Sequence, residues 1–164
     1  MPELIDFIGT HIPQIAGVLI MAAIGAYLTE FNSRRSRFAS AAEKFRNTIL
    51  TELKGLYPIP SDWPKDFNVF DHQLREVFPN LQIAVASFRP FVTWYWRWAF
   101  DRVWFIYRLG KNGRGIDKQQ YDQYRPCSGV EIVDGKEIIH DNAKIYRENF
   151  KRNVDNLLKF AKQK

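Results

Sequence analysis

Cysteine and histidine, on which many metal sites and nucleophilic catalysts depend, are scarce in this chain of 164 residues. Cys127 is the only cysteine, so no intramolecular disulfide can form, which agrees with a reducing compartment. His72 and His140 each lie beside an acid, but no CxxC, HExxH or HxxxH spacing is present. The sequence therefore predicts that the chain is not an enzyme and that it holds no metal and no cofactor.

Lysine and arginine are absent from the first 33 residues, although the whole chain has 24 of them and a net charge of +6. Within this region, the 23 residues 7–29 carry no charge if their histidine is neutral. As a helix they would reach about 34 Å, enough to cross a hydrocarbon core of about 30 Å. They predict a transmembrane anchor, with a short extracytoplasmic tail at 1–6 and a soluble helical domain at 30–164. A cleaved signal peptide is disfavoured because Glu3 and Asp6 stand where basic residues would be expected, and a buried core helix because the run has no polar stripe.

Basic residues gather directly after this apolar run, at Arg34, Arg35 and Arg37. The positive-inside rule places such a flank in the cytoplasm. The sequence thus predicts a single-pass membrane protein that contacts the lipid bilayer through 7–29. Its N-terminus would lie outside and residues 30–164 would lie in the cytoplasm.

Apolar residues recur at helical spacing through most of the remaining chain. Phe45, Ile49 and Leu53 belong to one such stripe, and Gly55 and Pro58 end it. Further helical patterns cover 70–78, 79–89, 91–109, 117–124 and 143–161. These patterns predict a mainly α fold, a compact antiparallel helical bundle. An Asp-Gly pair between β-branched residues adds a possible small β-hairpin near 130–139.

Aromatic residues make up 15% of the chain and concentrate between residues 94 and 108, where arginines alternate with them. In a long helix most of these rings would form the core, but they occupy more than one side, so some should be exposed. Exposed rings could contact a membrane or a protein, and rings with arginines could also stack on bases and pair phosphates. The candidate interaction surface consists of Trp94, Trp96, Arg97, Trp98, Arg102 and Trp104.

Five sequence strings carry a resemblance to a known group of proteins. They are FRNTILTELKGLYPIPSDWP, FPNLQIAVASFR, FDRVWFIY, DGKE and FKRNVDNLLKFAKQ. Together they cover most of 45–162, and they resemble a pattern in uncharacterised proteobacterial single-pass membrane proteins with a helical cytoplasmic domain. The resemblance implies a folded domain of bacterial origin, so that the membrane would be the inner (plasma) membrane. It implies no activity, ligand or catalytic residue.

The sequence favours a membrane-anchored cytoplasmic interaction or scaffold module that binds a protein partner or a second copy of itself. One alternative is a membrane-tethered enzyme that uses His72, Cys127 or His140. Another is a nucleic-acid-binding domain that uses the arginines and rings of 94–108, although nucleic acid is the least favoured partner.

Overall fold

The structure, a computed structural model, describes the backbone of residues 2–111, 121–125, 129–133, 136–140 and 143–162, and the side chains of 17–111, 121, 123–125 and 144–162. Within these ranges the chain is mainly helical, as the periodicity predicts. The helices are α1 (Pro2–Glu52), α2 (Phe67–Phe88), α3 (Arg97–Leu109) and α4 (Ala143–Leu158). Two short strands, β1 (Gly129–Val133) and β2 (Lys136–His140), pair in antiparallel register and form the small hairpin expected near 130–139.

The chain divides into two compact units, Met1–Ser40 and Ala41–Lys164. The first unit consists of the N-terminal part of α1. Its contacts include pairs one helical turn apart: the Thr29 hydroxyl donates to the carbonyl of Gly25 at 2.9 Å, and the Tyr27 and Phe31 rings stack at 6.5 Å. Its exposed apolar side chains include Val18, Leu19, Ile20, Met21, Ile24, Leu28 and Phe31.

The predicted transmembrane anchor at 7–29 is wrong. Among the described residues, no helix combines the length and the apolar character that crossing a membrane requires. Helix α1 continues past Thr29 without a break, through the charged residues from Glu30 onward, and ends at Glu52. The predicted single-pass topology, the inner-membrane location and the cytoplasmic placement of 30–164 therefore lose their basis.

The second unit is a helical bundle with an aromatic core. The C-terminal part of α1 buries the stripe that the sequence predicts, including Phe45, Ile49 and Leu53, each 2% exposed or less. The Phe45 ring stacks on Phe88 of α2 at 4.7 Å and meets the edge of Phe100 of α3. Phe45, Phe88 and Phe100 thus join three helices through ring contacts, which add specific geometry to the burial of apolar area.

Helix α2 replaces the two separate helices that the sequence predicts on either side of Pro79. It runs unbroken from Phe67 to Phe88 with Pro79 inside it. A proline within a helix removes one backbone hydrogen bond and usually bends or ends it. Here both halves present one buried face, so packing offsets that loss. The buried residues are Phe70, Leu74, Phe78, Leu81, Ala84, Val85 and Phe88.

The proline-rich connector between α1 and α2 is fixed to the core at two points. Trp63 packs against Phe70 at 4.7 Å and against Phe150 of α4 at 5.5 Å. Tyr57 is buried, and its hydroxyl donates to Oδ1 of Asp155 on α4 at 2.6 Å. These contacts tie the connector to the last helix.

Helix α4 confirms the last predicted stripe, because Phe150, Val154 and Leu157 are almost fully buried. The helix ends at Leu158 and a short 3₁₀ turn, Lys159–Ala161, follows it. The predicted helix at 117–124 lies mostly outside the described residues, and its described end is a 3₁₀ turn, Asp122–Tyr124.

Stability should depend on pH through the Tyr57–Asp155 hydrogen bond. Burial alone would raise the pKa of Asp155, but the bonds from Tyr57 and Lys151 outweigh it and lower that pKa below its ordinary 3.8. At pH values above the ordinary pKa, the lowered pKa of Asp155 stabilises the folded state. This contribution is lost as the pH falls through the lowered pKa. We expect Tyr57→Phe to reduce the free energy of unfolding by about 1 kcal/mol at pH 7. In urea unfolding, this difference should shrink below pH 3.8; a difference that stays constant in acid would contradict the assignment.

Two buried tyrosines in contact, Tyr107 and Tyr124, should respond oppositely to the loss of their hydroxyl. The Tyr124 hydroxyl donates to the carbonyl of Tyr107 at 3.0 Å and accepts from Asn153 at 2.9 Å. The Tyr107 hydroxyl is buried, and the described residues offer it no hydrogen-bond partner. We expect Tyr124→Phe to cost about 1–3 kcal/mol and Tyr107→Phe to be neutral or stabilising by up to about 1 kcal/mol. Thermal and urea unfolding of the two variants would show this; equal losses in both would contradict it.

Candidate functional site

The predicted long helix at 91–109 is interrupted before residue 97, and this break creates the candidate site. Val92 and Thr93 adopt extended backbone conformations between two short 3₁₀ turns, Arg89–Phe91 and Trp94–Trp96. Pro90 favours the break, because it has no amide hydrogen to donate. The backbone is then held by Arg97, whose guanidinium donates to the carbonyls of Val92 at 3.1 Å and Pro90 at 3.0 Å. Carbonyl groups that a continuous helix would satisfy are satisfied by a side chain instead.

The segment around this break exposes five large aromatic side chains, which we call the aromatic ledge. Trp94 and Trp98 are each 77% exposed, far above what a core ring shows. Neighbouring rings of the ledge contact each other, with Trp94 and Tyr95 edge to face at 5.7 Å. The ledge consists of Phe91, Trp94, Tyr95, Trp96 and Trp98. Exposed aromatic area of this size in one short segment is typical of a contact surface.

The rings that follow the ledge have a different role. Phe100 and Tyr107 are buried, and Trp104 stacks on Phe78 at 5.9 Å and on Tyr107 at 5.4 Å. The same aromatic block therefore supplies both the core and the surface. In α3 the buried residues recur at helical spacing, so they lie on one face of the helix and pack into the core.

The arginines around the ledge are occupied by contacts within the protein. Arg89 forms a two-pronged ion pair with Asp101, with N–O distances of 2.8 and 2.7 Å. Arg97 binds the carbonyl groups of the break. Arg102 lies over the Phe105 ring at 5.3 Å, and Arg108 over Trp104 at 5.4 Å. The ledge is thus flanked by guanidinium groups that already hold the fold.

The structure brings together only part of the predicted interaction surface. Trp94, Trp96 and Trp98 lie on the ledge. Arg97 stabilises the ledge indirectly, because its guanidinium binds two backbone carbonyls of the break. Arg102 is exposed but bound to a neighbouring ring, and Trp104 is half-buried and stacked on other rings. The predicted surface did not include Phe91 and Tyr95, which the structure places beside the tryptophans on the ledge. Pro90 is the signal that could have indicated the break.

The residues of the enzyme alternative are not assembled in the described part of the chain. His72 is exposed, and its Nδ1 lies 3.7 Å from a carboxylate oxygen of Glu76. Cys127 and the side chain of His140 lie outside the described residues. Among the described residues, no group of three potential metal ligands occurs.

The arginines predicted to flank a membrane have local contacts instead. Arg34 pairs with Glu30 at 2.6 Å, one helical turn away, and Arg37 reaches the same carboxylate at 3.4 Å. Arg35 is exposed. Exposed pairs of this kind contribute little to stability.

The two classes of ring should differ sharply in their effect on stability. We expect Trp94→Ala and Trp98→Ala to change the free energy of unfolding by no more than about 0.5 kcal/mol, because these rings are exposed. Trp104→Ala should cost about 2–3 kcal/mol, because it removes a half-buried ring that stacks on Phe78 and Tyr107. Chemical unfolding followed by circular dichroism measures all three. A loss above 2 kcal/mol for either ledge variant would show that the ring packs against the fold.

Comparisons of the chain with models of protein families, with curated proteins and with solved structures found no match. The resemblance to proteobacterial membrane proteins stays a prediction. The geometry of the ledge is therefore the basis for assigning a function.

Proposed function

We propose that the chain is a helical interaction module and that the aromatic ledge is the surface by which it binds another protein. The observation that supports this most directly is the exposure of Trp94 and Trp98, each 77%, beside three further exposed rings. Leaving the apolar area of these rings in water is unfavourable for the chain on its own. Their burial by a partner is the simplest use of the ledge.

The side-chain types of the ledge suit protein recognition. Tryptophan and tyrosine are enriched among residues that dominate binding energies, since they bury a large area and lose little side-chain freedom. Covering most of one exposed tryptophan removes on the order of 150 Å² from water, which favours association by roughly 4 kcal/mol before the costs of binding. Two or three such rings are enough for a specific contact.

The core supports a ledge of fixed shape. The order of the ring contacts between α2 and α3 supports the predicted antiparallel arrangement. Phe88 meets Phe100, and ten residues earlier in α2, Phe78 meets Trp104 of the next turn of α3. This packing fixes α2 and α3, and the Arg97 contacts fix the backbone between them, which carries the ledge. A rigid surface loses less entropy on binding than a flexible one.

The described contacts favour a protein over a nucleic acid. A platform for single-stranded nucleic acid needs rings together with cations that can reach phosphates. Arg89, Arg97 and Arg102 instead contact a carboxylate, backbone carbonyls and a ring of the protein itself. Binding a phosphate through any of these arginines would break a contact that the arginine makes within the protein.

A partner different from the chain itself is also favoured by charge. The whole chain carries a net charge of +6, so two copies repel each other at low ionic strength. A neutral or acidic partner would not meet this repulsion. That the chain is not an enzyme stays a prediction.

The proposal is tested by placing a photo-crosslinking amino acid at position 98 in cells that express the whole chain. We expect one protein to be captured there and not at position 145. Ile145 is a matched control because it is 53% exposed and lies on α4, whose neighbouring Phe150 packs with Tyr107 and not with the ledge.

The captured protein is then purified and titrated with the chain. The double variant Trp94→Ala/Trp98→Ala should bind it at least tenfold more weakly, and Ile145→Ala should bind it as the unmodified chain does. Equal affinity for the double variant would contradict the role of the ledge. A crosslinked product that contains only two copies of this chain would contradict the choice of a different protein.

A further inference from the structure

A second feature of the bundle is an open cleft of about 560 Å³ between α1, the proline-rich connector and α4. The sequence interpretation did not identify it, because its walls come from three separate segments. Arg46 and Tyr57 form one side, and residues of α4 and of the turn after it form the other. The volume lies within the 300–1,000 Å³ that small-molecule sites usually have.

The cleft is strongly basic. It is lined by five cationic side chains, Arg46, Lys151, Arg152, Lys159 and Lys162, and by only two acidic ones, Glu148 and Asp155. Its formal charge is therefore +3, half the charge of the whole chain. A concave surface focuses such a potential and raises the local concentration of anions.

The negative charge of one of the two acidic side chains, Asp155, is already compensated by a lysine of the cleft. Both oxygens of the Asp155 carboxylate are engaged, Oδ1 by the Tyr57 hydroxyl at 2.6 Å and Oδ2 by the Lys151 ammonium at 3.0 Å. Arg152 and Lys159 donate to the amide oxygens of Asn149 and Asn156, contacts that orient them without cancelling their charge. Cations held in this way are arranged before a ligand arrives.

Two further cationic side chains of the cleft, those of Arg46 and Lys162, have neither an ion-pair nor a hydrogen-bond partner among the described residues. Arg46 is exposed on α1, and Lys162 is exposed after the last turn. They lie on different segments that meet at the cleft. A guanidinium binds phosphate oxygens in pairs, and an ammonium binds them as a compact charge.

We propose that this cleft binds a soluble compound with two or more linked phosphate groups, held chiefly by Arg46, Arg152, Lys159 and Lys162. The cleft has room for a compound the size of a nucleoside triphosphate, and its net charge matches the several negative charges of a phosphate chain. Five cationic side chains around one cleft favour a ligand whose negative charges are equally close together, as in a phosphate chain, over an acidic peptide, whose carboxylates are spaced along a backbone. The site is independent of the aromatic ledge.

The test is a calorimetric titration of the whole chain with inorganic triphosphate and, separately, with ATP. We expect saturable binding with one ligand per chain, which weakens as salt is added. If the two bind equally, the phosphate chain alone is recognised; if ATP binds more tightly, the cleft also contacts the nucleoside. Both results support the proposal. Inorganic phosphate should bind at least tenfold more weakly than triphosphate.

The double variant Arg46→Gln/Lys162→Gln should bind triphosphate at least tenfold more weakly than the unmodified chain. Lys44→Gln is the matched control, because Lys44 is exposed on the same helix as Arg46 but does not line the cleft. Circular dichroism of each variant confirms that it is folded. Three results would overturn the proposal: no saturable binding at low salt, equal loss in the double variant and the control, or tighter binding of an oligoglutamate peptide than of triphosphate.

Discussion

The bundle depends on aromatic rings that pack between its helices. Phe45, Phe88 and Phe100 bring α1, α2 and α3 into contact, and Phe160 joins them from the turn after α4 at 5.2 Å from Phe100. Around Phe150, a second set of rings joins α4 to the connector and to α2 and α3. Because each ring contacts several others, removing one leaves a void that its neighbours fill only partly. The core thereby fixes the ends of the helices and the segments between them.

The ledge and the cleft follow from these fixed positions. Between α2 and α3 the chain cannot continue as one helix, and Arg97 stabilises the resulting break by binding two backbone carbonyls. The break turns adjacent rings outward, while Phe100 stays buried in the core. Near the start of the connector between α1 and α2, Tyr57 binds Asp155, and the basic side of α4 lines the same cleft as Arg46 of α1. The ledge is apolar and the cleft is cationic, so the two surfaces suit ligands of different chemistry.

The sequence predicts the parts of this fold that local periodicity determines. The stripe containing Phe45 and the stripe containing Phe150 are buried as predicted, because helical spacing alone places them on one face. The single helix through Pro79 and the break before Arg97 do not follow from periodicity, since packing decides the first and the contacts of Arg97 with the carbonyls of Pro90 and Val92 stabilise the second. The membrane anchor failed for another reason: it was predicted from a run without charge, whereas no helix among the described residues is both long and apolar enough to cross a membrane. The cleft joins residues about a hundred positions apart, which no local pattern indicates.

The central claim is that the ledge contacts a protein partner, and the five tryptophans of the chain offer a direct test. Their indole N–H groups give separate signals in a ¹⁵N-labelled sample, three from the ledge and two from Trp63 and Trp104, which are half-buried and packed against other rings. The measurement is the change of these signals when the protein captured at position 98 is added. The account predicts that the signals of Trp94, Trp96 and Trp98 shift or broaden while the other two stay in place. Unchanged ledge signals, with binding established by calorimetry, would contradict it.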